Sequence, residues 1–156
     1  MNRSRRKTLQ AAGGLGLYGT LVALGLLPAG EAAAQAITPA AWQTKSIADT
    51  LKALGVSAPA DSKDIVINSP DIAENGAVVP VGIKSNLPKT EFMALMVEKN
   101  PNPLAGAYTL LEGAEADVNM RIKMGQSSDV FALVKADGKF YMTKKEIKVT
   151  LGGCGG

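Results

Sequence analysis

Gly152-Gly153-Cys154-Gly155-Gly156, the last five residues of the chain, hold its one thiol. Thiolate is the reactive form of cysteine, and reaction needs access as well as charge. Four glycines supply the access. Glycine has no side chain and the greatest backbone freedom, so the segment reads as a mobile arm with a thin profile. Fully extended, the five residues after Leu151 reach at most about 18 Å. A nucleophile on a short bare tether suits a covalent carrier, which holds a group and delivers it into the channels of other proteins.

Little near Cys154 activates it. Helix N-termini and cations favour thiolate, whereas the terminal carboxylate two residues away is a like charge. Lys144, Lys145 and Lys148 lie on or before the preceding strand. The sequence therefore predicts a thiol activated inside a partner's site. A frayed terminus with an incidental cysteine is the competing reading. A free thiol in an oxidising compartment invites intermolecular disulfides, and the symmetric glycines also argue against chance. Prenylation needs cysteine fourth from the end, and Cys154 is third. Lipoprotein cysteines stand at the mature N-terminus, which this one does not.

Composition excludes most other chemistry. The 156 residues contain no histidine, which removes His-based triads, His-ligated zinc and imidazole proton transfer. One cysteine allows neither an intramolecular disulfide nor a CxxC pair. No phosphate-binding glycine loop or carboxylate pair stands out. Met93, Met96, Met120 and Met124 read as core filler, since methionine adapts to irregular gaps. The chain thus reads as a carrier and not an enzyme, with no metal site and no cofactor of its own.

The elements that must position the arm follow from periodicity. Residues 38–55 are expected to be helical, with Thr38 as cap, Pro39 in the first turn and Gly55 closing the end. Ile47, Leu51 and Leu54 make its apolar face, with Trp42 nearby. After Pro59 the period becomes two. Val79, Val81 and Ile83 form one alternating set, Val118 to Met124 a second, and Ile147, Val149 and Leu151 a third. Further strands are expected at Ile65–Asn68, Phe92–Glu98, Asp129–Val134 and Lys139–Met142, the last two joined by an Asp137-Gly138 hairpin. Pro80 cannot donate to a ladder and suggests an edge position, and Asn100-Pro101-Asn102-Pro103 points to a rigid loop. About seven short strands predict an all-β, immunoglobulin-like antiparallel β-sandwich with an N-terminal helix and a flexible C-terminal tail.

Residues 1–36 read as a cleaved export signal. Ser4-Arg5-Arg6-Lys7-Thr8-Leu9-Gln10 resembles the twin-arginine motif, with Arg5, Arg6 and Leu9 in register but Thr8 and Gln10 where Phe and Lys are common. Residues 8–30 carry no charge and six glycines, which together with Ala32-Ala33-Ala34-Gln35-Ala36 favours cleavage over a retained membrane anchor. Without the signal the chain carries thirteen basic and thirteen acidic residues, so the basic footprint needed for nucleic-acid binding is missing. The expected organisation is signal 1–36, helix plus sandwich 37–151 and arm 152–156. The expected location is the periplasm, with no membrane contact after signal removal.

With these residues in view, the chain resembles the SoxY family, sulfur-carrier subunits of periplasmic thiosulfate-oxidising systems. The tail Gly152 to Gly156 carries the resemblance. Ala73-Glu74-Asn75-Gly76, Val79-Pro80-Val81, Asn100-Pro101-Asn102-Pro103 and Arg121-Ile122-Lys123-Met124 support it. The resemblance implies thiosulfate-derived sulfur held on Cys154 and a SoxZ-like partner in a heterodimer. It also implies three enzymes acting on the carrier: a c-type cytochrome complex, a dimanganese hydrolase and a molybdenum-haem dehydrogenase. The metals belong to those partners.

Other classes remain distinguishable. A ubiquitin-like carrier would hold sulfur as a thiocarboxylate on Gly156, but that requires ATP-dependent activation in the cytoplasm and leaves Cys154 idle. A one-cysteine peroxidase needs a preorganised cationic pocket, which a glycine-flanked terminus does not provide. A purely structural exported domain would tolerate loss of the tail.

Overall fold

The structure is a computed structural model that describes residues 37–150. It contains a 3-10 helix (Pro39–Gln43), α1 (Ile47–Ala53) and nine strands. These are β1 (Ala60–Asp61), β2 (Ile65–Asn68), β3 (Ile72–Ala73), β4 (Val79–Ser85), β5 (Thr90–Val97), β6 (Leu104–Thr109), β7 (Asp117–Ile122), β8 (Ser128–Ala136) and β9 (Lys139–Val149). One sheet runs β1-β9-β8-β5-β6, with β3 also on β9, and the other runs β2-β4-β7. The two sheets make the expected β-sandwich. Its long ladders are antiparallel, while the two-residue strands β1 and β3 run parallel to β9. Neither short strand is foreseeable from the sequence, because two residues carry no period.

Alternation builds the core. Val79, Val81 and Ile83 of β4 face Met93, Leu95 and Val97 of β5 and Val130, Ala132 and Val134 of β8, with Ile147 of β9 completing the layer. Phe92, Ala94, Met96 and Leu133 point to the other face, where Ala41, Val56, Ile47, Leu51 and Leu54 cover them. Strand β5 is therefore buried on both sides, which explains its unbroken apolar run from Phe92 to Val97. Met93, Met96 and Met124 are fully buried in these two layers, as expected of filler. Arg121 and Lys123 are exposed.

Several expectations need correction. Helix 38–55 is broken at Thr44, whose ψ of 156° is extended. Hydroxyls compete with the helix there: Thr44 Oγ1 donates to the Ala41 carbonyl at 2.9 Å, and Ser46, not Thr38, caps α1 through the Asp49 amide at 3.1 Å. Gly55 does close the helix, at φ 75°. Replacing Ser46 with Ala is expected to lower stability by about 1 kcal/mol, read from the denaturant midpoint.

Lys139–Met142 and the set begun by Ile147 and Val149 are not separate strands. They belong to one strand of eleven residues, Lys139–Val149, because nothing between them breaks the ladder with β8, while Leu151 of that set lies outside the described residues. Strand β6 lies where periodicity predicts no strand, its Leu-Ala-Gly-Ala start lacking strand formers. Its Gly106 lies against Met120 of the opposite sheet, where a Cβ would stand 3.0 Å from the sulfur. Pro80 sits on the middle strand of its sheet, but at a position paired on one side only, by Arg121 of β7. Strand β2 pairs with β4 only from Gly82 to Ser85, so Pro80 lies beyond its end. The Asp137-Gly138 hairpin is as expected, with φ of 49° and 73°.

Candidate functional site

Arg5, Arg6, Gly152, Gly153, Cys154, Gly155 and Gly156 lie outside the described residues, as does Leu151. The described part ends at Thr150, just before the segment expected to form the arm. Strand β9 reaches that point hydrogen-bonded on both sides. On one side Ile147 pairs with Ser128 of β8, and the Val149 amide donates to Ser127 Oγ at 2.9 Å. On the other, the Lys148 amide donates to the Asp71 carbonyl at 2.9 Å and the Thr150 amide to the Ala73 carbonyl at 3.1 Å. Thr150 Oγ1 also donates to the Glu74 carbonyl at 3.1 Å. The segment 71–74 is thus a strap that holds the chain up to Thr150.

The strap is itself braced. The Met124 amide donates to the Gly76 carbonyl at 2.7 Å, and Asn75 Oδ1 accepts from the Ala77 amide at 2.9 Å, an Asx turn. Asn100 joins the next two loops by donating to the Lys123 carbonyl at 2.7 Å and accepting from the Gly125 amide at 3.3 Å. Asn102 donates to the Trp42 carbonyl at 2.7 Å and accepts from Lys45 Nζ at 2.8 Å. Ala73–Gly76, Asn100–Pro103 and Arg121–Met124, widely separated in sequence, meet at the arm-bearing end of the sandwich. Asn100→Ala should loosen this end and cost about 1 kcal/mol of stability, measured by thermal or denaturant unfolding.

Sequence reasoning gives Ser127, Thr150 and the strap no role. Their action is through backbone groups and one hydroxyl each, which leaves no pattern to read. Among the described residues, no group of three or more His, Cys, Asp or Glu side chains is placed to hold a metal ion. Charge around the site is mixed. Lys145 pairs with Asp71 at 3.0 Å, and Lys144 pairs with Asp129 at 2.7 Å. The Asp129 carboxylate holds the Lys144 ammonium above its usual pKa. That exposed pair favours the folded state below the normal lysine range and ceases to do so only at strongly alkaline pH.

A cleft of about 680 Å³ lies between the β4–β5 and β6–β7 loops, lined by Ser85, Leu87, Thr90, Glu91 and Leu110 among others. Those loops are at the opposite end from Thr150. From Lys139, beside this end, β9 climbs ten residues to Val149, roughly 33 Å at strand rise. Cys154 lies four residues beyond Thr150, at most about 14 Å away. The thiol cannot reach the cleft in its own chain.

Residues 51–154 match the family model for sulfur oxidation protein SoxY. The chain belongs to the SoxY family. The solved structure of the sulfur carrier protein SoxY from Chlorobium limicola f thiosulfatophilum is 29% identical over 70% of this chain and 96% of that one, with a TM-score of 0.63. A substituted form of superoxide reductase (neelaredoxin) from Ignicoccus hospitalis aligns with 20% identity and a TM-score of 0.50, covering 58% of this chain and 82% of that one. That likeness is one of fold alone. No curated protein matches the sequence. Membership of the SoxY family supports a sulfur carrier role and implies a partner from the same sulfur-oxidation system, such as SoxZ.

Proposed function

We propose that the protein is a periplasmic carrier that binds sulfur intermediates of thiosulfate oxidation on Cys154 and presents them to partner enzymes. The observation that carries the reading is the Gly-Gly-Cys-Gly-Gly tail, continuing a strand held firmly up to Thr150 in a chain of the SoxY family. The first 36 residues act as a cleaved twin-arginine signal. A SoxZ-like subunit pairs with the folded domain and travels with it.

In the loading step the Cys154 thiol and the outer sulfur of thiosulfate form an S–S bond. One proton and two electrons leave, and the electrons pass to a c-type haem enzyme. The product is a cysteine S-thiosulfonate. A hydrolase then adds water across the S–SO₃ bond, giving sulfate and a persulfide on Cys154. A molybdenum-haem dehydrogenase would then take the electrons of that sulfane sulfur to its own acceptors while water supplies the oxygens and protons leave, giving a cysteine S-sulfonate. A second hydrolysis of the S–SO₃ bond would release sulfate and return the Cys154 thiol. The carrier contributes the sulfur anchor and the reach, and the partners contribute the redox and metal chemistry.

Intact mass after incubation with thiosulfate and the loading oxidase tests this reading. The wild-type chain should gain a thiosulfate-derived adduct, and Cys154→Ser should gain none. An adduct that persists in Cys154→Ser would move the sulfur to the terminal carboxyl and the function to the thiocarboxylate class.

A further inference from the structure

We infer that the redox enzyme loading Cys154 docks on the arm-bearing end of the sandwich, with Ile72 and Val78 as its apolar contacts. The inference rests on the carrier reading above. Length decides the location. The backbone is fixed as far as Thr150 by Ser127, Ala73 and Glu74. Beyond it, Cys154 Cα can lie no more than about 14 Å away. An active site enclosing the thiol has to come within that radius, so the enzyme's surface must rest on the residues surrounding Thr150.

Those residues include two large apolar side chains held out in water. Ile72, in the strap beside Lys148, is 58% exposed, and Val78, at the end of the Asx turn, is 54% exposed. Both are presented on braced backbone. The strap is bonded to β9, and Gly76 between them is bonded to Met124. Ordering such residues on docking costs little, because their backbone is already fixed. Exposed residues of both signs lie beside them: Asp71 and Glu74 on the strap, Lys148 opposite Ile72 on β9, and Lys123 next to Met124, whose amide bonds Gly76, which suits an apolar contact with a polar rim.

Leu111 is more exposed still, at 81%. It lies beside the cleft at the opposite end, roughly 33 Å along β9. An enzyme seated there could not receive the thiol. Exposure alone therefore does not select the surface; exposure within reach of the arm does.

The test uses the carrier with its partner subunit, the loading oxidase and thiosulfate. Ile72→Glu, Val78→Glu and the double variant are compared with Leu111→Glu, and Ile72→Asn with Val78→Asn repeats the test with milder changes. The double variants should raise the KM of the oxidase for the carrier about tenfold with kcat little changed. Alkylation of Cys154 by iodoacetamide and the native mass of the carrier with its subunit should not change. Leu111→Glu should load like wild type. An unchanged KM in the double variants, or a KM raised equally by Leu111→Glu, overturns the inference. Loss of the partner subunit in the double variants also overturns it, by assigning the patch to subunit pairing. Failure of the unaltered carrier to accept sulfur on Cys154 removes the carrier reading, and this inference with it.

Discussion

Deleting residues 152–156 will reduce thiosulfate oxidation by the reconstituted system to the rate measured without carrier, with stability changed by no more than about 0.5 kcal/mol. The two halves of that expectation have separate causes. Stability resides in the two apolar layers, which close among residues 41–147. On the proposed reading, turnover resides in a thiol that must enter sites on other proteins. Cys154→Ser should behave in the same way. Gly153→Trp and Gly155→Trp separate access from chemistry. They leave the thiol in place and open to iodoacetamide, yet should slow enzymatic loading by about a hundredfold or more, since a poorly seated nucleophile loses much of the advantage of positioning. A structural exported domain would lose nothing on tail deletion.

Leu95→Ala, at the other extreme, will cost about 3 to 5 kcal/mol of folding stability. Leu95 is fully buried on β5, which pairs with β6 on one side and β8 on the other. Its removal leaves a cavity in the layer between the sheets, where neighbouring strands are held by ladders and cannot collapse into it. A domain of this size has roughly 5–15 kcal/mol of stability in total, so the variant approaches the unfolding threshold. Chemical denaturation at constant m-value measures the loss. Residual folded Leu95→Ala should still carry sulfur, because the arm is untouched. The pair of variants therefore dissociates fold from function in both directions.

The strands that can be read in the sequence are those whose burial alternates. Val79-Val81-Ile83 sits on a sheet with one wet face, and Ile65–Asn68 has the boundaries expected of it. What escapes reading is fixed by hydrogen bonds that leave no period. Strand β3 is two residues long and exists because its backbone pairs with Lys148 and Val149. Strand β6 opens on small residues because Met120 presses against Gly106. The break at Thr44 arises from hydroxyls that serve helix and turn alike, a choice settled by Thr50 and Ala41. Cys154 is a different case. Cys154 lies outside the described residues, and the role proposed for it rests on its type and its four glycine neighbours in the sequence. The anchor at Thr150 cannot be seen that way, because a threonine donating to a carbonyl 76 positions earlier has no local signature.

The direct measurement is the fate of labelled sulfur during turnover. Carrier, partner subunit and enzymes are mixed with thiosulfate labelled in its outer sulfur, quenched at intervals and mapped by peptide mass. The account predicts label on the peptide containing Cys154, appearing and disappearing at rates no slower than sulfate is released. Label on any other residue or on the terminal carboxyl, or label on Cys154 that persists unchanged while sulfate accumulates, would contradict it.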